Sequence, residues 1–294
     1  MPTSSDVAHV DIRRHLRVGP GPVDLGTIDP RSTPGLPGGK EVRGDPKLWS
    51  RGQVAAVGVH LACLQERLYA AGKAWSPDRL LLLLQAMDAG GKDGTVKNVA
   101  GQMNPLGLKI VSFGKPTPEE QRHHFLWRIR RNLPNPGIIG VFNRSHYEDV
   151  LVARVRNVVP PEEWSKRYDE INRFEAREVA NGLTVVKVML QISKEEQKVR
   201  LMARLTDPTK YWKYDPGDLE ERKLWPRYME AYEAAVTRCS TDAAPWYVVP
   251  ADRKWYRNWA VAHLLWETLE EIDPKYPEPD FDVAAELAKL KASG

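Results

Sequence analysis

The sequence predicts an α/β protein, a three-layer α/β/α sandwich around a five-stranded parallel sheet with a helical lid. Two observations carry this expectation. Five apolar segments, at residues 80–85, 108–113, 138–142, 184–192 and 246–249, are short and almost uninterrupted, as strands covered on both faces must be. Most stretches between them repeat their apolar residues at helical spacing, so helices are expected to cross between strands.

Residues 1–45 read as a Pro/Gly-rich N-terminal arm. Between 19 and 39 these residues are too dense for regular structure, and an extended path over the surface is expected. Residues 46–294 read as one domain, or one with an insertion. Within 47–71, Val54, Val57, Leu61, Leu64 and Leu68 recur at helical spacing, giving an amphipathic helix that leads into the first strand.

The first strand runs into LLLLQAMDAGGKDGT, residues 81–95. An apolar strand followed by a Gly-Gly-Lys turn and a helix is a means of gripping phosphate, because glycines let backbone N–H groups approach the anion and the lysine neutralises it. Ala89, Gly90, Gly91, Asp93, Gly94 and Thr95 are the expected cradle, Lys92 the cation and Asp88 a ligand for a metal ion. The pattern departs from Walker A twice. Ala86 takes the first glycine position, and Asp93 replaces the hydroxyl residue after the lysine.

Ligands of parallel sheets bind beyond the carboxyl ends of the strands. The third strand ends in FNRSHYED, residues 142–149, where Asn143 stands in place of the usual metal-binding aspartate. The missing charge is expected from Asp88, Glu148 or Asp149, and Arg144 is free to clamp phosphate. His146 reads mainly as structural. Residues 118–133 read as a helix with Phe125, Leu126 and Ile129 on one side and His124, Arg128 and Arg131 on another, a basic stripe that Arg130 joins. That stripe is the expected polyanion channel.

Residues 204–213, RLTDPTKYWK, set Arg204, Lys210 and Lys213 among aromatics and read as the start of a lid extending over about 204–227. Asp215 is expected as the cap of a following helix, with Pro216 its first residue. Residues 252–269 form a helix whose Trp255, Trp259, Leu264 and Trp266 are expected in the core, with no part in chemistry.

Composition limits the function classes. With 42% hydrophobic and 28% charged residues in 294, the chain has the balance of a folded soluble domain. No apolar run reaches the ~20 residues that span a bilayer, and the first residues lack a secretory core. Cys63 and Cys239 are the only cysteines and stand far apart, which argues against disulfides or a cysteine-ligated zinc and for a cytoplasmic setting. The net charge of +4 is small, but the cations cluster, so an anionic partner is expected.

Taken together, MDAGGKDGTVK at 87–97, FNRSHYED at 142–149, VVKVMLQI at 185–192 and RLTDPTKYWK at 204–213 resemble the polyphosphate kinase 2 family, most closely its class III. The resemblance spans nearly all of the chain after the arm. It implies a P-loop kinase-like, thymidylate-kinase-like fold with a lid, and transfer of a phosphoryl group between inorganic polyphosphate and a nucleoside mono- or diphosphate such as AMP or ADP. It also implies magnesium, with manganese as an alternative, and a homodimer or homotetramer. Carried onto matching positions, Lys92 and the glycines bind phosphate, Asp88 serves metal binding and activates the acceptor oxygen, Arg144 holds nucleotide phosphate, and Arg204, Lys210 and Lys213 act from the lid. Joined with the carboxylates after the third strand, the expected catalytic set is Asp88, Lys92, Arg144, Asp149 and Arg204, the expected metal ligands are Asp88 and Asp149, and Asn143 and Glu148 are expected in the nucleotide and phosphate site.

Two rivals are weighed. An ATP-dependent nucleoside monophosphate kinase of the same fold is expected to keep the first glycine and the hydroxyl residue that this chain lacks. A non-catalytic module binding a polyanion or nucleic acid leaves Asp88, Glu148 and Asp149 unexplained, because carboxylates repel a polyanion unless a metal ion lies between.

Overall fold

In the computed structural model, which describes residues 10–19, 21–39, 42 and 44–293, a sheet of β1 (Arg79–Gln85), β2 (Leu108–Ser112), β3 (Ile139–Asn143), β4 (Leu183–Gln191) and β5 (Trp246–Pro250) runs in the order β2-β3-β1-β4-β5. Every pairing is parallel. The expected strands therefore stand, each boundary within a residue. β1 is buried along almost its whole length: five consecutive leucines, Leu80 to Leu84, are all covered, Leu81 in one apolar cluster and the other four in a second. Full burial of each contributes about 1.5–3 kcal/mol.

The helices, numbered in chain order, are α1 (Ile12–Leu16), α2 (Pro46–Lys73), α3 (Lys92–Asn98), α4 (Trp127–Asn132), α5 (Glu148–Val155), α6 (Pro161–Ala180), α7 (Lys194–Thr206), α8 (Gly217–Lys223), α9 (Trp225–Cys239), α10 (Lys254–Ile272) and α11 (Val283–Ala292). α10 packs on α2, α3 and α1, and α9 packs on α5 and α6. Asp45 caps α2 by accepting from the N–H groups of Lys47 and Leu48, with Pro46 preset at the first helical position.

Three expectations need correction. The arm holds a 3-10 turn at Leu25–Thr27 and buries Leu25, so its prolines and glycines do not leave it wholly irregular. It is fastened to the core: Val18 N–H donates to Trp246 O at 2.9 Å, Asp252 N–H to Pro30 O at 3.1 Å, and Tyr256 Oη to Pro34 O at 2.7 Å. The helix expected over 118–133 is broken into a 3-10 turn (Glu120–Arg122) and the short α4, because the His124 ring bonds Glu170 at 2.8 Å and its Nδ1 accepts from Leu126 N–H. The lid helix starts at Gly217 rather than Pro216, with the Asp215 carboxylate accepting from Gly217 N–H at 2.7 Å.

Candidate active site

β1 and β3 are neighbours whose onward connections leave toward opposite sides of the sheet, and a crevice opens where they part. Leu84 pairs with Asn143, so the turn after β1 and the turn after β3 lie side by side. Both turns hold a non-glycine residue in the left-handed region, Ala89 at φ 60° and Arg144 at φ 64°. Such backbone costs about 1–3 kcal/mol and persists where the surroundings enforce it.

The turn after β1 is shaped by close fits. A Cβ on Gly90 would lie 2.4 Å from the Ala86 methyl, so the glycine makes room for the alanine that stands at the Walker A glycine position. Gly91, at φ 108°, opens α3. Lys92 is buried and its Nζ donates to Ala86 O at 2.8 Å. Burial lowers its pKa, against the pull of Asp88. Thr95 is buried with its hydroxyl on Gly91 O at 3.2 Å, a helix contact and not an open ligand position.

Two cavities meet at this crevice. The larger, about 1520 Å³, is lined by the phosphate turn, the start of α2, α7, the lid and the first turn of α10. Among the described residues its walls carry twelve lysine and arginine side chains against six carboxylates, so it suits a polyanion. The smaller, about 230 Å³, is bounded by Met87, Glu148, Asp149, Val152, Tyr228 and Tyr232 among others. Asp88, Gly114 and Arg144 line both.

Arg144 Nη2 donates to Asp88 Oδ1 at 2.9 Å across this junction. Burial works against the Arg144 charge, but Glu148 and Asp88 outweigh it and raise its pKa. Burial raises the pKa of Glu148, with Arg144 and Lys92 opposing. Asp149 lies between Arg128 at 3.7 Å and Arg167 at 3.4 Å, and burial nevertheless pushes it up to about 6. Asn143 Nδ2 donates to Asp93 Oδ1 at 2.8 Å.

A buried network fixes the turn after β3. His146 Nε2 donates to Glu175 Oε1 at 3.1 Å, Tyr147 Oη donates to the same oxygen at 3.0 Å, and Lys187 Nζ donates to Glu175 Oε2 at 2.5 Å. All four side chains are buried, which gives His146 a structural task beneath Arg144.

The expected basic stripe is dispersed. Arg128 is buried, donates to Gly114 O at 3.0 Å and lines the smaller cavity, whereas Arg131 lies over the Trp127 ring and Arg130 over Phe174, away from both cavities. Arg128 is thus brought to the site and Arg131 is not. The lid cations Arg204, Lys210 and Lys213 line the larger cavity. Arg204 is engaged with Asp218 at 3.0 Å and Lys213 O at 2.9 Å, and Lys210 with Asp207 at 2.6 Å.

The helix expected to take no part in chemistry supplies Arg253, Lys254, Trp255 and Arg257, at or beside its start, to the larger cavity. Trp259, Leu264 and Trp266 are in the core as expected, while Trp255 is only half-buried and faces the cavity. Arg200, also missed, ties the site together. Its Nη1 donates to Ala89 O and Gly90 O at 3.0 Å, and its Nη2 to Ala251 O and Asp252 O at 2.5 and 3.1 Å. Four residues before Arg204 on the same helix, its spacing alone could have flagged it.

Groups of three or more His, Cys, Asp or Glu that could hold a metal ion are absent among the described residues. Magnesium in phosphoryl-transfer sites takes one or two carboxylates and completes its shell with water and substrate phosphate. Asp88 and Asp149, both lining the smaller cavity, fit that donor set.

The family model for polyphosphate kinase 2 matches residues 49–277. The AMP/ADP-polyphosphate phosphotransferase of Meiothermus ruber is 48% identical over 268 residues, covering 91% of this chain and 96% of the relative. The ADP-polyphosphate phosphotransferase of Rhodopseudomonas palustris is 44% identical over 79% of this chain and 83% of its own. The crystal structure of a polyphosphate kinase 2 from Arthrobacter aurescens superposes with a TM-score of 0.89 at 50% identity, covering 95% of both chains. A match over most of the length, in sequence and in fold, leaves one assignment: the chain belongs to the polyphosphate kinase 2 family.

Proposed function

We propose that the protein is a polyphosphate-dependent nucleotide kinase, moving a terminal phosphoryl group of inorganic polyphosphate to AMP or ADP. One observation carries this reading: Asp88 and Arg144 stand where a wide cationic cavity meets a small one. The wide cavity suits a chain bearing about one charge per phosphate, held as other polyanions are. The small one, walled by Val152, Tyr228 and Tyr232 and carrying Arg144, suits a nucleotide whose phosphate points at the junction. The names of two relatives, phosphotransferases acting on AMP/ADP or ADP with polyphosphate, point the same way.

In the reaction an acceptor phosphate oxygen attacks the terminal phosphorus of the chain. The bridging P–O bond breaks, and the shortened polyphosphate leaves with its electron pair. Arg144 orients the acceptor phosphate in its planar fork. Lys92 exchanges Ala86 O for phosphate oxygen and neutralises the charge spreading over the transferred group. Asp88 holds Arg144 and aligns the acceptor oxygen. The backbone of Asp88 is itself fixed by Gln197 Nε2, which donates to its carbonyl at 3.0 Å. Magnesium or manganese, when bound, would be held by Asp88 and Asp149 and would neutralise phosphate charge. Arg204, Lys210 and Lys213 close over the chain from the lid and exclude water. The same reading makes the enzyme a cytoplasmic homodimer or homotetramer with both AMP and ADP as acceptors, the class III behaviour.

Incubation with polyphosphate and, separately, AMP, ADP, GMP and GDP tests the reading. Phosphorylated products are expected with polyphosphate and magnesium, and their loss in Asp88→Asn and Lys92→Ala. Turnover with ATP as the only effective donor, or Lys92→Ala within a few-fold of the parent, would sink it.

A further inference from the structure

Arg257 is 3% exposed and has no carboxylate partner among the described residues. Its Nε and Nη2 share one acceptor, Asn258 Oδ1, at 3.1 and 2.8 Å. The adjacent Arg200 is different, since all its donor groups are used: Nε pairs with Glu196 at 2.8 Å and both Nη atoms reach backbone carbonyls. Arg200 is a saturated clamp. Arg257 is a buried charge waiting for an anion, and burying an uncompensated charge costs several kcal/mol. Burial, then the charge of Arg200, pulls its pKa down to about 9, which leaves it protonated at neutral pH.

The position of the guanidinium says where that anion would lie. A Cβ on Gly91 would fall 1.8 Å from Arg257 Nη1, and one on Gly94 would fall 2.8 Å from Nη2. The fork thus fills the space that two glycines of the phosphate turn leave open, on the wall of the larger cavity. Lys254, one turn earlier on α10, lines the same wall. We propose that Arg257 is a donor-side phosphate-binding residue, taking an oxygen pair of the polyphosphate chain in its planar fork beside the Gly-Gly-Lys turn. This rests on the reading that the larger cavity holds polyphosphate. An arginine suits the task because two parallel N–H groups match two phosphate oxygens, which lysine does not reproduce.

The test compares the parent enzyme with Arg257→Met and Arg257→Lys, using thermal melting and calorimetric titration with inorganic tripolyphosphate and, separately, AMP. Without ligand, Arg257→Met is expected to melt higher than the parent, because an unpaired buried charge is gone. Its tripolyphosphate affinity is expected to fall at least tenfold, with Arg257→Lys in between and AMP affinity within twofold of the parent. In turnover the KM for polyphosphate rises and the KM for the nucleotide does not. If Arg257→Met melts lower and binds tripolyphosphate like the parent, the arginine is packing only and the proposal falls, while the assignment of the cavity stands. If the affinity lost is that for AMP, the residue serves the acceptor and the proposal also falls. If the parent itself binds no tripolyphosphate, the reading of the larger cavity fails with it.

Discussion

Asn143 donates its side-chain N–H to the carboxylate of Asp93 across 2.8 Å, so the residue replacing the aspartate after β3 and the one replacing the hydroxyl in the phosphate turn are each other's partner. An aspartate at 143 would set a second carboxylate against Asp93 beside the phosphate turn, and two such groups cannot both ionise freely. The amide turns that repulsion into a charge-assisted hydrogen bond joining the turn after β3 to the first turn of α3. Such a bond is worth about 1.5–3 kcal/mol, or roughly ten- to a hundredfold in rate if it holds the catalytic geometry. Asn143→Asp is therefore expected to lose that much kcat/KM, and the exchanged pair Asn143→Asp with Asp93→Asn to recover to within a few-fold. A fully active single variant, or an exchanged pair no better than it, would show that the contact has no part in turnover.

Among the described residues, the buried Lys92 ammonium donates only to the carbonyl of Ala86, and burial lowers its pKa. Phosphate oxygens are a better partner for a buried ammonium than one carbonyl. Lys92→Met is expected to lower kcat by about a hundredfold or more, in line with the removal of one preorganised charge at a reacting group. Its melting temperature is expected to equal or exceed that of the parent. Steady-state turnover and a thermal melt on the same preparation check both, and a variant that is active yet less stable would make Lys92 a structural residue.

The strands were legible because β1 and β4 are almost unbroken apolar runs, and a strand buried on both faces leaves no other option. The phosphate turn was legible because glycines next to a lysine after a strand have few other uses. The periodicity of residues 118–133 is helical, yet the bond from His124 to Glu170 breaks the run and Arg128 turns inward to Gly114 O and Asp149, contacts that local spacing does not encode. Arg257 was invisible for a different reason. Among the tryptophans of α10 it looks like a surface cation, and only the fold brings it against Gly91 and Gly94. Arm contacts such as Val18 to Trp246 are equally long-range, and local composition cannot encode them.

Asp149 gives the stability a pH dependence whose sign follows from its pKa, raised to about 6 by burial against the opposing charges of Arg128 and Arg167. The folded protein binds this proton more tightly than the unfolded chain does. The group therefore favours the fold below about pH 4, and that contribution is lost as pH rises through 6. Asn resembles the protonated form, so Asp149→Asn is expected to match the parent near pH 4 and to exceed it above pH 6, by at most about 3 kcal/mol for a shift of some two units. Urea unfolding at pH 4, 5, 6 and 7.5 reads the difference directly. A gap that does not widen between pH 4 and 6 would mean that the carboxylate is already ionised at low pH.

Glu175 and Lys187 form a buried ion pair at 2.5 Å, to which His146 and Tyr147 attach the turn carrying Arg144. Lys187 also donates to Cys239 O at 2.6 Å, so the pair links β4, α6 and α9 beneath the site. Burial pushes the Glu175 carboxyl up, but the Lys187 ammonium and the hydrogen bond from His146 outweigh it and hold the group below its usual range. Removing one member leaves the other charged and buried, a cost of about 3–5 kcal/mol, whereas removing both returns much of that loss. Lys187→Met is expected to be the more damaging single change, because it strands a carboxylate among aromatic rings. Glu175→Gln keeps acceptors for His146 and Tyr147 and should cost less, and the double variant should unfold at a denaturant concentration above that of Lys187→Met. A double-mutant cycle in urea gives the coupling, and additive losses would dismiss the pair as a unit. Activity measured well below each melting point separates stability from positioning. If the network aims Arg144, Glu175→Gln raises the KM for the nucleotide while leaving that for polyphosphate near the parent's.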